Sequence, residues 1–313
     1  MSIPKLKKQF LEVSDALELG NPSITEKDYW VVSLLAMLEN VVCKHHRLVF
    51  SGGTALAKSS IKILRMSEDV DIKMIPTQEF LVLGTGEKKR IRKALVEHLI
   101  EKLDLHPYLK YSHKKVLDEY RYVEIEIEYP QQYKQAPCLR PYIKLELIET
   151  IELQCVEARS ISSLVAQSYK LPAEVSAMPC ISIDLTLVEK VLSMLRRTMS
   201  VKRDPGRQDD ETLVRHIYDV HCISAEHPID IGVLKPMFDT ALEEDKMRFG
   251  NQHREFVNDP HNELRLGLAE LESNVEFRKR FDAFVAPMVY NTAPHDFDTC
   301  FASFKGISKQ LIG

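Results

Sequence analysis

The residues best suited to do chemistry lie in one stretch. Ser51-Gly52-Gly53-Thr54-Ala55-Leu56-Ala57-Lys58 is followed by Arg65-Met66-Ser67-Glu68-Asp69-Val70-Asp71-Ile72. The β-rich run Arg47-Leu48-Val49-Phe50-Ser51 leads into the two glycines. A short helix is expected over Ala55–Leu64, then a strand over Asp69–Met74. Glycines remove side chains where a phosphate must approach the backbone, and the free N–H groups opening a helix favour negative charge there. On the strand, Val70, Ile72 and Met74 point to one face, Asp69, Asp71 and Lys73 to the other. Carboxylates at i and i+2 sit roughly 7 Å apart at Cβ and repel one another unless a divalent cation lies between them. Removing one of them is therefore expected to leave metal-free stability unchanged or raised. Oxygen ligands suit Mg2+ (or Mn2+), which also takes the phosphate oxygens of an NTP. The chemistry indicated is metal-assisted, in-line nucleotidyl transfer. A glycine pair alone is usually only a turn, and Asp-x-Asp on a strand is usually a solvated edge. Their order and close spacing make the pattern specific.

Other elements must hold this stretch in place. Leu6–Leu17 has helical spacing and stops at Gly20-Asn21-Pro22. A second helix capped by Ser23 or Thr25 carries the apolar residues Trp30, Leu34, Leu35 and Leu38. A basic helix is expected over Glu87–Leu103, and strands over Tyr120–Tyr129 and Tyr142–Glu149, joined by a turn containing Pro130, Pro137 and Pro141. From about residue 160 strand signals fade. Amphipathic helices take over at Leu185–Met199, Glu211–Ser224, Gly232–Lys246 and Glu263–Val289. The fold class expected is α+β: a mixed-sheet domain over 1–155, then an all-helical domain over 156–313. The Phe297, Phe301 and Phe304 tail is expected to pack back on the helices.

Composition narrows the function. The chain has 313 residues, 44% of them hydrophobic and 28% charged, as in soluble globular proteins. A net charge of −4 excludes a uniformly positive surface, so a nucleic acid would need a local basic patch. Six cysteines, Cys43, Cys138, Cys155, Cys180, Cys222 and Cys300, form no metal-binding pair and read as reduced thiols. The histidines His45, His46, His113 and His261 lack ligand-like partners and read as surface residues, and Trp30 reads as core. With no signal peptide and no membrane-spanning stretch, a cytoplasmic location is expected.

The Gly-Gly-Thr-Ala-Leu-Ala-Lys turn with Arg65-x-Ser67-x-Asp69-x-Asp71 resembles the nucleotidyltransferase superfamily, and in its particular form the AbiEii/AbiGii toxin family. Thr25-Glu26-Lys27-Asp28-Tyr29-Trp30, Glu189-Lys190 and Arg215-His216-Ile217-Tyr218-Asp219 agree with that family's other signatures. Residues 80–140 and those beyond 225 carry no such likeness. The resemblance implies the toxin half of a toxin–antitoxin or phage-defence system, with a cognate antitoxin encoded nearby. It implies nucleotide binding by Gly52, Gly53, Thr54, Arg65, Ser67, Lys144 and Lys190. It places metal on Asp69 and Asp71, and it gives Asp219 the task of positioning Lys190 or the acceptor. A third carboxylate is expected on a later strand; Glu146 is chosen over Glu124, Glu126 and Glu128, whose alternation reads as an exposed sheet face.

Periodicity agrees with part of this. On Leu185–Met199 the apolar residues form one stripe, with Lys190 and Arg197 together on the opposite face. On the next helix Arg215 and Asp219 fall outside the stripe, where an ordinary i,i+4 ion pair is the plain alternative. Of two basic clusters, the one following Lys190's helix, with Arg197, Lys202 and Arg203, is preferred as an RNA-facing loop; the other, Lys88 to Lys93, opens the basic helix. The function expected is transfer of a nucleotide to an acceptor hydroxyl, with the tRNA 3′ end, or another RNA, as acceptor. The alternatives are nucleotidylation of a protein hydroxyl and a non-catalytic NTP- or RNA-binding protein.

Overall fold

The computed structural model describes residues 3–136, 139–150, 155–285, 288–290 and 294–313; Pro137 and Cys138 lie outside them. The chain divides into two compact units, Met1–Ser59 with Met66–Ile181, and Ser60–Arg65 with Ser182–Gly313. The boundary therefore falls at 181/182, not near 155. Two strands past residue 155 complete the first unit's sheet, and the short segment 60–65 belongs to the second unit.

The first unit is built on a seven-stranded mixed sheet. Its strands are β1 (His46–Ser51), β2 (Val70–Pro76), β3 (Lys110–Leu117), β4 (Tyr122–Glu128), β5 (Ile143–Glu149), β6 (Val156–Ile161) and β7 (Val175–Ile181), in the order β3-β4-β5-β2-β1-β7-β6. Among the described residues six helices accompany it: α1 (Ile3–Ala16), α2 (Pro22–Glu39), α3 (Gly52–Ala57), α4 (Gln78–Leu81), α5 (Thr85–Leu105) and α6 (Leu164–Ser168). The alternation read on β2 holds, since Val70, Ile72 and Met74 are buried while Asp71 and Lys73 are only partly so. The same alternation buries Val123, Ile125 and Ile127 of β4 and Ile143, Leu145 and Leu147 of β5. These side chains join Trp30, Leu34 and Leu35 of α2 in one core. β3, β6 and β7 lack a clear apolar alternation, which is why the sequence did not announce them. The polar face of the central strands is in register: Asp71 stands opposite Ser51 on β1 and Glu146 on β5, and Glu146 opposite Glu124 on β4.

Helix α2 does more than fill the core. Its cap is Asn21, whose side chain accepts the Ser23 N–H at 2.9 Å, while Ser23 and Thr25 lie buried inside the helix. Three consecutive charged residues then bind parts of the chain distant in sequence. Glu26 accepts the backbone N–H groups of Gln132 (2.7 Å) and Tyr133 (3.2 Å). Lys27 Nζ donates to the carbonyls of Arg140 (2.7 Å) and Tyr142 (2.5 Å) and pairs with Glu68 at 2.8 Å. Asp28 takes Lys58 Nζ and, at 2.7 Å, the Leu164 N–H. The connection from β4 to β5 is thereby fixed to α2 by side chains from two consecutive helix positions.

The second unit is helical: α7 (Ile183–Arg203), α8 (Arg215–Glu226), α9 (Ile231–Phe249), α10 (Arg254–Asn258), α11 (Pro260–Ser273), α12 (Glu276–Phe284) and α13 (Phe297–Ile312). Its core includes Val188, Val191 and Leu195 of α7, Ile217 and Val220 of α8, and Phe304 of α13, all fully buried. The tail does pack back, with Phe297, Phe301 and Phe304 buried. The long helix expected over Glu263–Val289 is broken instead at Asn274, which ends α11 and whose Oδ1 accepts the Glu276 N–H at the start of α12. His46, expected at the surface, is buried and bonded to Glu149 at 3.0 Å.

Glu26 makes the α2 hub sensitive to pH. Burial raises its carboxyl to about 7, against the lowering effect of the two N–H groups it accepts. The folded carboxyl thus keeps a proton that the unfolded one has lost, and stability falls as pH rises from about 4.5 through about 7. The difference in melting temperature between wild type and Glu26→Gln, followed from pH 4.5 to 7.5, is expected to shift steadily in favour of the variant. Parallel curves would show that Glu26 does not titrate in that window.

Candidate active site

In the first unit the expected turn and strand meet as read from the sequence. Helix α3 begins at Gly52 and ends at Ala57, shorter than expected. Gly52 has φ +77°, and a Cβ added there would lie 1.9 Å from Asp71 Oδ2. Only glycine combines that backbone conformation with room for the carboxylate. Thr54 Oγ1 lies 2.9 Å from Ser67 Oγ, and Ser51 Oγ donates to the Asp71 carbonyl at 3.1 Å. Two hydrogen bonds and one close approach thus hold the turn against the Asp-x-Asp segment.

Asp69 is not an unpaired carboxylate, as the sequence reading had it. The Arg140 guanidinium donates to its Oδ1, and Lys144 Nζ stands 3.7 Å from its Oδ2. Lys144 also donates to Glu146. Arg140 in turn is 3.5 Å from Glu68, which accepts its backbone N–H at 3.0 Å. Charges therefore alternate from Lys27 through Glu68, Arg140, Asp69 and Lys144 to Glu146. Burial works against the charge of Lys144, but Asp69 and Glu146 beside it outweigh burial and raise its pKa. Arg140 is raised likewise, by Asp69 and then Glu68. Removing Asp69 would strip the Arg140 guanidinium of its nearer carboxylate, so the relief of repulsion expected from deleting it is offset.

The second unit holds the other set. Arg65, expected to bind nucleotide, is 2% exposed and grips Asp219 with two hydrogen bonds of 2.6 and 2.5 Å. Lys190 donates to the same carboxylate at 2.7 Å. Lys190 is 6% exposed and Asp219 wholly buried, so neither lies on the solvated face that helical periodicity suggested. In place of the plain i,i+4 alternative, Asp219 pairs with two cations distant in sequence, one of which is the expected Lys190. Burial opposes the charge of Asp219, but Arg65 and then Lys190 hold its carboxyl well below the usual range. Burial lowers the pKa of Lys190, with Asp219 pulling the other way.

The basic cluster after Lys190 is not a free positive patch. Arg197 pairs with Asp210 at 2.9 Å, Lys202 with Glu270, and Arg203 bidentately with Glu263 at 2.9 Å. Lys88 to Lys93 are also engaged, Arg92 gripping Glu149 from a buried position.

The first unit's carboxylates fit a divalent cation in one respect. Among the described residues no three His, Cys, Asp or Glu side chains converge to enclose an ion. Mg2+, however, is commonly held by one or two carboxylates together with substrate phosphates. The close seat of Asp71 against the Cβ-free Gly52 leaves its carboxylate beside open backbone, as such a site requires. Arg140 escaped sequence reading because it lies in an irregular, proline-containing connection, distant in sequence from Asp69.

A family model described as "Nucleotidyl transferase AbiEii toxin, Type IV TA system" matches residues 36–303. No curated protein matches the chain. Among solved structures the chain is similar to MenT4, a nucleotidyltransferase toxin from Mycobacterium tuberculosis H37Rv. The two share 16% identity at a TM-score of 0.41, over 82% of this chain and 98% of that one.

Two substitutions test these geometries. Gly52→Ala forces the backbone strain and the clash with Asp71 together, and is expected to cost about 1–3 kcal/mol in denaturant unfolding. Stability equal to wild type would mean the turn is not held as described. Asp219→Ala leaves Arg65 and Lys190 buried without a counter-ion and is expected to cost about 3–5 kcal/mol. Lys190→Met should cost less, because Arg65 keeps both carboxylate oxygens. The reverse order would show that Lys190, not Arg65, is the main partner.

Proposed function

The chain belongs to the AbiEii nucleotidyltransferase toxin family, and on that premise we propose that it transfers a nucleotide from an NTP to an acceptor hydroxyl, the tRNA 3′ end. The observation that carries the reading is the seat of Asp71 against Gly52, which brings the Asp-x-Asp strand and the glycine turn into one site. No helix among the described residues is long and apolar enough to cross a membrane, and a cytoplasmic toxin with a cognate antitoxin fits the family.

Each residue has a task under this reading. Asp69 and Asp71 supply the carboxylate oxygens for Mg2+ (or Mn2+). The ion, when bound, neutralises phosphate charge and lowers the pKa of the attacking hydroxyl. Gly52, Gly53 and Thr54 present backbone and hydroxyl groups to phosphate, and Ser67 orients Thr54 through their shared hydrogen bond. Lys144 holds Glu146 beside Asp71 and contributes positive charge to the triphosphate. Lys190 is the second unit's candidate phosphate ligand. Asp219 fixes its position, and the lowered pKa makes its ammonium the more ready to exchange a proton. Arg65 is removed from the nucleotide-binding set, because both its hydrogen bonds to Asp219 are buried. Arg197, Lys202 and Arg203 enter RNA binding only by exchanging their carboxylate partners for phosphates, which makes that contact weaker than an open patch would give.

Incubation of the purified protein with each labelled NTP, Mg2+ and total tRNA is expected to label tRNA. Asp69→Ala and Asp71→Ala are expected to reduce labelling about a hundredfold to a thousandfold, the range in which removal of a charge-stabilising catalytic group falls. Label appearing on protein instead would move the acceptor to a protein hydroxyl. Undiminished labelling by either variant would remove these acids from catalysis.

A further inference from the structure

We propose that Arg140 is the resident counter-ion of Asp69 in the free protein and becomes a ligand of the nucleotide triphosphate once Asp69 is neutralised by a divalent cation. The inference rests on the nucleotidyltransferase reading above and adds to it a residue outside every sequence motif.

The backbone of Arg140 is pinned while its side chain is not. Its N–H donates to Glu68 at 3.0 Å and its carbonyl accepts Lys27 Nζ at 2.7 Å. The side chain is 37% exposed, and its contacts to Asp69 and Glu68 both run through Nη1. The chain's structural arginines look different. Arg65 and Arg92 are each 2% exposed and grip a single carboxylate with two nitrogens. The pair reaches solvent on the Arg140 side, 37% exposed against 17% for Asp69, and solvent screening weakens such a pair, so a divalent cation can take Arg140's place at Asp69. Arg140 cannot then move far, because its backbone is held at both polar groups by the Lys27–Glu68 pair. A guanidinium left facing a neutralised carboxylate seeks another anion, and its planar fork suits phosphate oxygens. Lys144, shared between Asp69 and Glu146, has a carboxylate to fall back on. Among the described residues Arg140 has only the carboxylate of Glu68, at 3.5 Å and already paired with Lys27.

Two opposite effects follow from one substitution, and calorimetry reads both without turnover. With Mn2+ alone, Arg140→Gln is expected to bind the ion about tenfold more tightly than wild type, because a competing cation has gone. At saturating Mn2+, the same variant is expected to bind the NTP preferred by wild type about tenfold more weakly. Arg140→Lys keeps the charge and should return both affinities toward wild type. Its melting temperature, and that of Arg140→Gln, report whether the connection remains folded. Mn2+ affinity that is unchanged or weakened in Arg140→Gln overturns the proposal, as does unchanged NTP affinity. If wild type itself binds no NTP with Mn2+, the nucleotidyltransferase reading fails and takes this inference with it, whereas normal wild-type binding with an inert Arg140→Gln defeats this inference alone.

Discussion

The first unit depends on a buried cation. Lys27 Nζ, with no solvent exposure, joins Glu68 and two carbonyls of the connection between β4 and β5. Nearby, Glu68, Asp69, Asp71 and Glu146 crowd acids onto one sheet face and its approach. Burying one carboxylate without a partner costs several kcal/mol, and four acids cannot share one region uncompensated. Lys27, Arg140 and Lys144 are interleaved with three of these acids, so the arrangement is close to neutral in the free protein. Burial lowers the pKa of Lys27 while Glu68 acts to restore it, so the lysine's charge and Glu68's position are mutually dependent.

The second unit solves a similar problem in the opposite sense. There one carboxylate, Asp219, supports two cations, Arg65 and Lys190, in a wholly buried setting. Arg65 keeps its charge in either state of Lys190, so Asp219 stays ionised and its geometry fixed. The segment Ser60–Arg65 that delivers Arg65 is bracketed by first-unit residues in sequence, ending four positions before Asp69. Tyr218 Oη donates to the Ile63 carbonyl at 3.0 Å and Tyr290 N–H to that of Leu64 at 2.9 Å, so the segment's backbone is held within the second unit as well.

Much of this was legible in the sequence, and what was not has physical causes. Period-two alternation on β2, β4 and β5 revealed the central strands because one face of each packs on the core. The Gly52 turn and the Asp-x-Asp strand were legible because local backbone demands fix residue types. Glu26, Lys27 and Asp28 were recognisable only as a signature; their role as three tethers is set by contacts more than a hundred positions away, save Lys58 and Glu68. Lys190 and Asp219 looked solvent-facing because helical periodicity sorts residues by polarity and cannot see a charge cluster that buries itself by mutual pairing. The pairing of the basic cluster was hidden for the same reason: Lys202 and Arg203 meet their acids on α11, an element that sequence spacing does not bring near. The peripheral strands β6 and β7 were missed because their residues lack alternation, which also misplaced the boundary between the units.

The most direct measurement of the central constraint is a double-mutant cycle on Lys27 and Glu68. Lys27→Met alone leaves two carbonyls without their donor and Glu68 without its buried cation, and Glu68→Gln alone leaves the buried ammonium short of a counter-charge. If the pair holds the site together, denaturant unfolding of the two single variants and the double variant should give a coupling energy of about 1–3 kcal/mol. Stability losses that add to within about 0.5 kcal/mol would contradict the account, because Lys27 and Glu68 would then be independent residues that happen to lie close together.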